Sequence, residues 1–452
     1  FDTVNLFQLL DTALYLYCLR CFITEAFDKV FRILYLFLLI LLWKITKKRI
    51  TLFFLFFLTY GLFIGGSFWA VIMGYDVDPF SLNYYYEYVA SDERRIDIMF
   101  YILGFLFFSL FGYKCAYCRL IRSNNLFVLS NNTEMQIANI LQFLFPVIAV
   151  VVVVETLSQF LSVLKNGYLA LYVSRQNESY SGTSLWITLL PVLFGLAMTY
   201  GYKKEKKGFM LLYLFQAIFR IVMGTRALFG ALLLFFLWIY SKKRNISLKK
   251  VFILCLCFSL VLIFVFSFSI RAGEELGFNI SIKDVLLGFI HTQGVSLMVF
   301  DASRLVENYP TLAYFQTIFP GCSFLYSLFF NKELHFQDIC FDGYMCYILN
   351  PWMLAEGHGM GWTLMSDLYL FSGRVWLFYL FLSFLFGFVV AKLESLAENS
   401  PFFLFIEYVI VFKFLLLPRA GLNSVLPLLF YSLFFWSFFV FVSQILIYMK
   451  RK

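Results

Sequence analysis

Long apolar runs alternate with short polar clusters along this chain. A helix that crosses hydrocarbon needs about 20 mostly apolar residues. Eleven runs are read as spans: 30–46, 51–74, 98–118, 139–162, 185–202, 208–224, 227–241, 251–270, 374–391, 402–418 and 424–449. The stretch 208–241 is interrupted only at Gly224-Thr225-Arg226, a tight turn between two spans. Residues 1–28 place Leu6, Leu9, Leu10, Ala13, Leu14 and Tyr17 at helical spacing, with Asp11, Arg20, Glu25 and Asp28 off that face. This pattern suits a helix lying on a membrane better than a twelfth span. The runs 284–300 and 311–330 are interrupted by charge or proline and read as loop helices on, or dipping into, the interface.

Composition agrees. The 452 residues are 62% hydrophobic and 14% charged, against roughly 25% charged in soluble chains. The expected fold is an all-α polytopic membrane protein of about 11 helices, or 12 if residues 1–28 cross. It forms one domain, 1–452. The net charge of +9 does not point to nucleic acid, because the cations sit in short clusters between apolar runs. Clusters at Lys44/Lys47/Lys48/Arg49, Lys114/Arg119/Arg122, Lys203/Lys204/Lys206/Lys207 and Lys242/Lys243/Arg244/Lys249/Lys250 alternate with the loops 75–97, 163–184, 225–226, 271–373 and 419–423. Cytoplasmic loops carry the excess of Lys and Arg. The clusters and Lys452 are therefore expected in the cytoplasm, and 271–373 outside.

Residues 271–373 form the only long segment without a continuous apolar run. All three histidines, His291, His335 and His358, lie in it, with ten carboxylates including Asp301, Glu356 and Asp367. Titratable groups are costly in hydrocarbon, and loops on a rigid scaffold carry function. The segment closes on Glu356-Gly-His-Gly-Met-Gly-Trp362, where alternating glycines let backbone approach a ligand closely. The same glycines would equally serve a tight turn into the next span.

Several arginines stand on the expected outer face, against the charge bias: Arg226, Arg271, Arg304, Arg374 and Arg419. A guanidinium fork matches phosphate and carboxylate. A single such arginine can instead pair with lipid headgroups, whereas several converging ones would make an anion site. Within spans, Arg220, Glu155, Glu407 and Lys413 call for partners, with Glu407–Arg220 one candidate pair. Asp76-Val-Asp78 resembles carboxylate pairs that hold a divalent ion, and also a turn before Pro79. Cys18/Cys21 and Cys115/Cys118 have C-x-x-C spacing, but no histidine lies near to complete a zinc site. Cys322, Cys340 and Cys346 leave the disulfide question open. No P-loop, H-E-x-x-H or G-x-S-x-G is present, and no cofactor is implied.

Five places resemble the Wzy-type polymerases of lipid-linked oligosaccharide repeat units, which build O-antigen and enterobacterial common antigen. They are Lys165-Asn-Gly-Tyr-Leu169 with Tyr172, Gly224-Thr-Arg-Ala227, Arg271, His358-Gly followed by an apolar run to Gly373, and Arg419-Ala-Gly-Leu-Asn-Ser424. Ala420 stands where the family has a carboxylate. The resemblance implies a GT-C-like glycosyltransferase of the inner membrane with its active site on the periplasmic side. It would join undecaprenyl-pyrophosphate-linked units, the growing chain as donor and a new unit as acceptor. A chain-length-regulating Wzz-type co-polymerase would be its partner. Arg226, Arg271, Arg304 and Arg419, with Tyr168 and Tyr172, would bind the pyrophosphate and sugar. Glu356, His358, Asp301 and Asp367 are the candidate acid–base groups. Metal ligands are not expected, with Asp76 and Asp78 as the alternative. An O-antigen ligase is the nearest other reading. A flippase would favour internal repeats and few carboxylates in its outer loops.

Overall fold

A computed structural model describes residues 27–82, 85–118, 127–169, 185–243, 246–267 and 282–451. The amphipathic segment of residues 1–26, with Cys18 and Cys21, lies outside the described residues, as do Arg271 and Tyr172. Each of the eleven apolar runs is built on helix. In chain order these are α1 (Phe27–Ile45), α2 (Leu52–Phe63) and α3 (Gly66–Ile72). A two-stranded antiparallel ribbon follows, β1 (Ser81–Leu82) and β2 (Tyr88–Val89), with Ser81 opposite Val89. Next come α4 (Asp92–Cys118), α5 (Asn131–Asn166), α6 (Leu185–Tyr200), α7 (Lys203–Val222), α8 (Ala227–Lys243) and α9 (Leu248–Ser267).

The polar segment folds into short helices: α10 (Ile282–Gly294), α11 (Ser296–Ser303), α12 (Thr311–Ile318), α13 (Cys322–Phe330), α14 (Phe336–Ile339), α15 (Phe341–Leu349), α16 (Pro351–Ala355) and α17 (Leu364–Phe371). Three long apolar helices close the chain: α18 (Trp376–Ala397), α19 (Pro401–Phe414) and α20 (Leu426–Arg451). The 3-10 turns Leu417–Arg419 and Leu422–Ser424 join the last two.

Among the described residues, five helices are long and apolar enough to cross a membrane. There are six if α2 and α3, bent by 58° at their break, count as one broken span. The remaining runs are helical but shorter or charged at an end. Helix α8 has 17 residues, and α7 begins Lys-Lys-Glu-Lys-Lys. Exposed Phe, Leu and Val on α5 and α20, such as Phe143, Val154, Phe434 and Phe441, are what a lipid-facing helix presents.

Helices α4 and α18 pack closely. A Cβ on Gly387 would collide with the Ser109 carbonyl oxygen, so only glycine permits this approach. With lipid on the outside, such small-residue contacts are what holds spans together. Aromatic rings fill the rest, with Phe53 stacked on Tyr113 at 4.4 Å and Tyr213 on Phe412 at 4.7 Å. An apolar medium favours pairing of buried polar groups, and the acidic side chains of the last helices show it. Glu394 of α18 accepts from the Phe53 amide at 2.8 Å and from the Tyr113 hydroxyl at 2.5 Å. It thereby satisfies a free N–H at the start of α2. Glu407 faces Lys242, at the end of α8, at 3.5 Å, a cation that the sequence did not single out for it.

Candidate functional site

Helix α10 lies across the second half of the broken span. The contact is backbone on backbone: a Cβ on Gly294 would collide with the Ser67 nitrogen, and one on Gly66 would meet the Ile290 oxygen at 2.6 Å. Two arginines from separate turns reach this helix. Arg226, at the turn before α8, holds its guanidinium 5.1 Å from the centre of the Phe289 ring. Arg419 donates from Nη1 to the Gln293 side-chain oxygen at 2.9 Å and stands 6.0 Å from the Phe63 ring, where the broken span ends its first half. Phe289 and Gln293 are four residues apart on one helix, hence neighbours on one face. The two arginines thus each touch a side chain on the same turn of α10.

Asp367 fixes the Arg419 turn. Its carboxylate is fully buried and accepts from Trp362 Nε1 at 2.7 Å and from the Leu422 amide. Gly421 is pressed between these partners, and a Cβ there would lie 2.8 Å from Trp362 Cδ1 and 2.9 Å from Asp367 Oδ2. Burial pushes the Asp367 carboxyl up to about 7, with the Leu422 and Trp362 donors working in the opposite direction. Both oxygens are committed to protein N–H groups. Asp367 thus joins the end of the glycine-punctuated segment to the arginine turn.

Asp301 and Arg304 are brought together, with partners that sequence reasoning missed. Asp301 is fully buried and receives Arg94 Nε on its two oxygens at 2.9 and 3.0 Å. Arg304 pairs with Asp97, has Nη1 3.7 Å from Asp301, and sits against the Tyr101 and Tyr369 rings at 4.7 and 5.3 Å. Burial raises the Asp301 carboxyl and lowers the Arg304 guanidinium. Two acids and two bases so arranged tie α11 to the start of α4. The signal was the dense run Asp92-Glu-Arg-Arg-Ile-Asp97 at the head of an apolar span.

The other candidates are dispersed. Glu356 is exposed and His358 half-buried, just after α16, with the His358 amide donating to Met353 O at 3.0 Å. Gly357 and Gly361 have φ of +93° and +81°, the left-handed region glycine favours. The segment reaches the Arg419 turn through Trp362. Tyr168 is half-buried just past α5. Asp78 receives Arg95 Nη2 at 2.6 Å and the Phe80 amide at 2.9 Å, while Asp76 is exposed. Among the described residues, no group of three His, Cys, Asp or Glu side chains is placed to hold a metal. Arg374 donates to the Val306 and Glu307 carbonyl oxygens and so anchors the polar segment at the head of α18. Burial pushes the Cys346 thiol up to about 12, far from a reactive thiolate. Cys322, Cys340 and Cys346 are unbridged.

A bundle of apolar helices that carries a buried charge network and one large polar segment defines a multi-pass membrane protein. The chain belongs to the O-antigen polysaccharide polymerase Wzy family, whose model matches residues 7–452. It is thus an O-antigen repeat-unit polymerase acting on lipid-linked oligosaccharide units. No match is found among the curated proteins. None is found among the solved structures.

Proposed function

We propose that the chain is a GT-C-like glycosyltransferase of the inner membrane with about eleven spans, working on the periplasmic side where residues 271–373 lie. Its donor would be a growing chain on undecaprenyl pyrophosphate and its acceptor a new repeat unit on the same carrier. The acceptor hydroxyl attacks the donor's anomeric carbon, the bond from that carbon to phosphate oxygen breaks, and the lipid pyrophosphate leaves. Its developing charge calls for fixed donors.

The observation that carries this reading is that Arg226 and Arg419 each contact a side chain on one turn of α10, Phe289 and Gln293. Two guanidinium forks there would grip one pyrophosphate. Arg271 would act with them at the entry to the polar segment, and Tyr168 and Tyr172 would stack on sugar. Asp301 and Asp367 are held by protein donors, so the acceptor's proton falls to Glu356 or His358. Arg304 acts by holding α11 in place. A Wzz-type co-polymerase would set chain length. Repeat-unit ladders from cells whose chromosomal copy is replaced by Arg226→Lys or Arg419→Lys test the reading. Wild-type ladders from both would end it.

A further inference from the structure

We propose that Gln293 is a third, uncharged donor to the pyrophosphate, alongside Arg419. This rests on the pyrophosphate reading above. Gln293 is only 7% exposed. Its amide has two different ends. Arginine carries no acceptor, so the end facing Arg419 Nη1 at 2.9 Å must be the oxygen. The Nε2 amide group is thereby turned away from Arg419, and it has no hydrogen-bond partner among the described residues. A buried N–H2 without an acceptor costs free energy that folding does not recover. An anion oxygen held by the neighbouring guanidinium would supply that acceptor. Gln293 is well placed for this, because it lies one turn from Phe289, where Arg226 docks. The close glycine contact between α10 and α3 fixes the helix that carries it.

A purely positioning role, in which Gln293 only holds Arg419, makes the opposite prediction for one substitution. Gln293→Glu keeps an oxygen for Arg419 and strengthens that contact with charge. It removes the N–H2 and sets a negative charge beside the bound anion. Gln293→Met removes both functions and adds no charge. If Gln293 donates to pyrophosphate, Glu is the worse substitution. If it only positions Arg419, Met is the worse one.

The test uses the full-length protein at matched membrane amounts, with surface-polysaccharide ladders as one readout. Protection of the purified protein against heat by inorganic pyrophosphate is the other, because it reports binding without turnover. Gln293→Glu is expected to lower polymer yield and pyrophosphate affinity about ten- to hundredfold, the scale of a hydrogen bond to a charged group, with Gln293→Met losing less. Glu equal to or better than Met in both readouts overturns the proposal. Should Gln293→Glu not reach the membrane, Gln293→His decides. A neutral imidazole keeps one donor and one acceptor, so it should exceed Met in both readouts, and equality overturns the proposal. If Arg419→Lys abolishes ladders while Gln293→Glu does not, this inference fails alone. If neither has an effect, the pyrophosphate reading fails with it.

Discussion

The carboxylate of Asp367 and the amide of Leu422 are hydrogen-bonded across two distant parts of the chain, and Trp362 Nε1 donates to the other oxygen at 2.7 Å. Asp367→Asn keeps the shape but points an N–H2 at one of these two donors. The turn carrying Arg419 should loosen, and polymer yield should fall roughly tenfold or more at normal membrane levels. The sign of the pH effect follows from the carboxyl being pushed up from 3.8 to about 7 by burial. The unfolded chain releases this proton near pH 4 and the folded chain only near 7. This group's contribution is therefore fully present below about pH 4 and lost as pH rises to 7. Thermal melts in detergent should fall across that window, and less steeply in Asp367→Asn. Equal slopes would contradict the assignment.

Arg226→Lys and Arg419→Lys keep the charge but lose the planar fork. Each should insert normally, and each should leave mostly single-unit products on the surface. Removing one fixed donor to a developing oxyanion typically costs on the order of a hundredfold in rate. Lys332, exposed in the polar segment, provides the control, and Lys332→Ala should give wild-type ladders.

Asp78 is engaged by Arg95 and the Phe80 amide, and the proposed pyrophosphate grip is made by arginines. Purified protein should therefore polymerise in the presence of a strong chelator. Asp76→Ala should be silent, and Asp78→Ala should cost no more than about 1 kcal/mol for its partly exposed ion pair. Activity lost to chelator and restored by magnesium or manganese would make the aspartates ligands after all.

Asp301 neutralises Arg94 in a setting where its own side chain is wholly buried. Asp301→Asn leaves an uncompensated cation, and breaking such a pair costs about 3–5 kcal/mol. Much lower membrane yield is expected, with the protein that survives retaining its rate per molecule. Normal yield with abolished turnover would instead make Asp301 a reacting group.

His335 is exposed in the polar segment. A cysteine introduced there, His335→Cys in a cysteine-free variant, should react with an impermeant thiol reagent in intact spheroplasts, while one at Lys452 should not. Protection of position 335 would invert the proposed orientation.

Much of this protein was legible in one dimension. Whether a run is apolar enough for hydrocarbon is a property of consecutive residues, and each of the eleven runs written in the sequence carries helix in its described residues. The charge clusters between them are equally local. Partners across the fold were not legible. Glu407 takes Lys242, a partner the sequence did not suggest, because packing of α8 against α19 brings that cation near. Asp301 and Asp367 look like acid–base candidates in sequence, yet Arg94, Trp362 and Leu422 occupy their oxygens. Arg226 and Arg419 could be singled out as outer-turn arginines, but Gln293 could not, since nothing in its neighbours on the chain marks it. Only the glycine contact that lays α10 on the broken span brings Gln293 beside Arg419. Side-chain charge and apolar length are carried by the residues themselves, whereas proximity between distant residues exists only once the helices have packed.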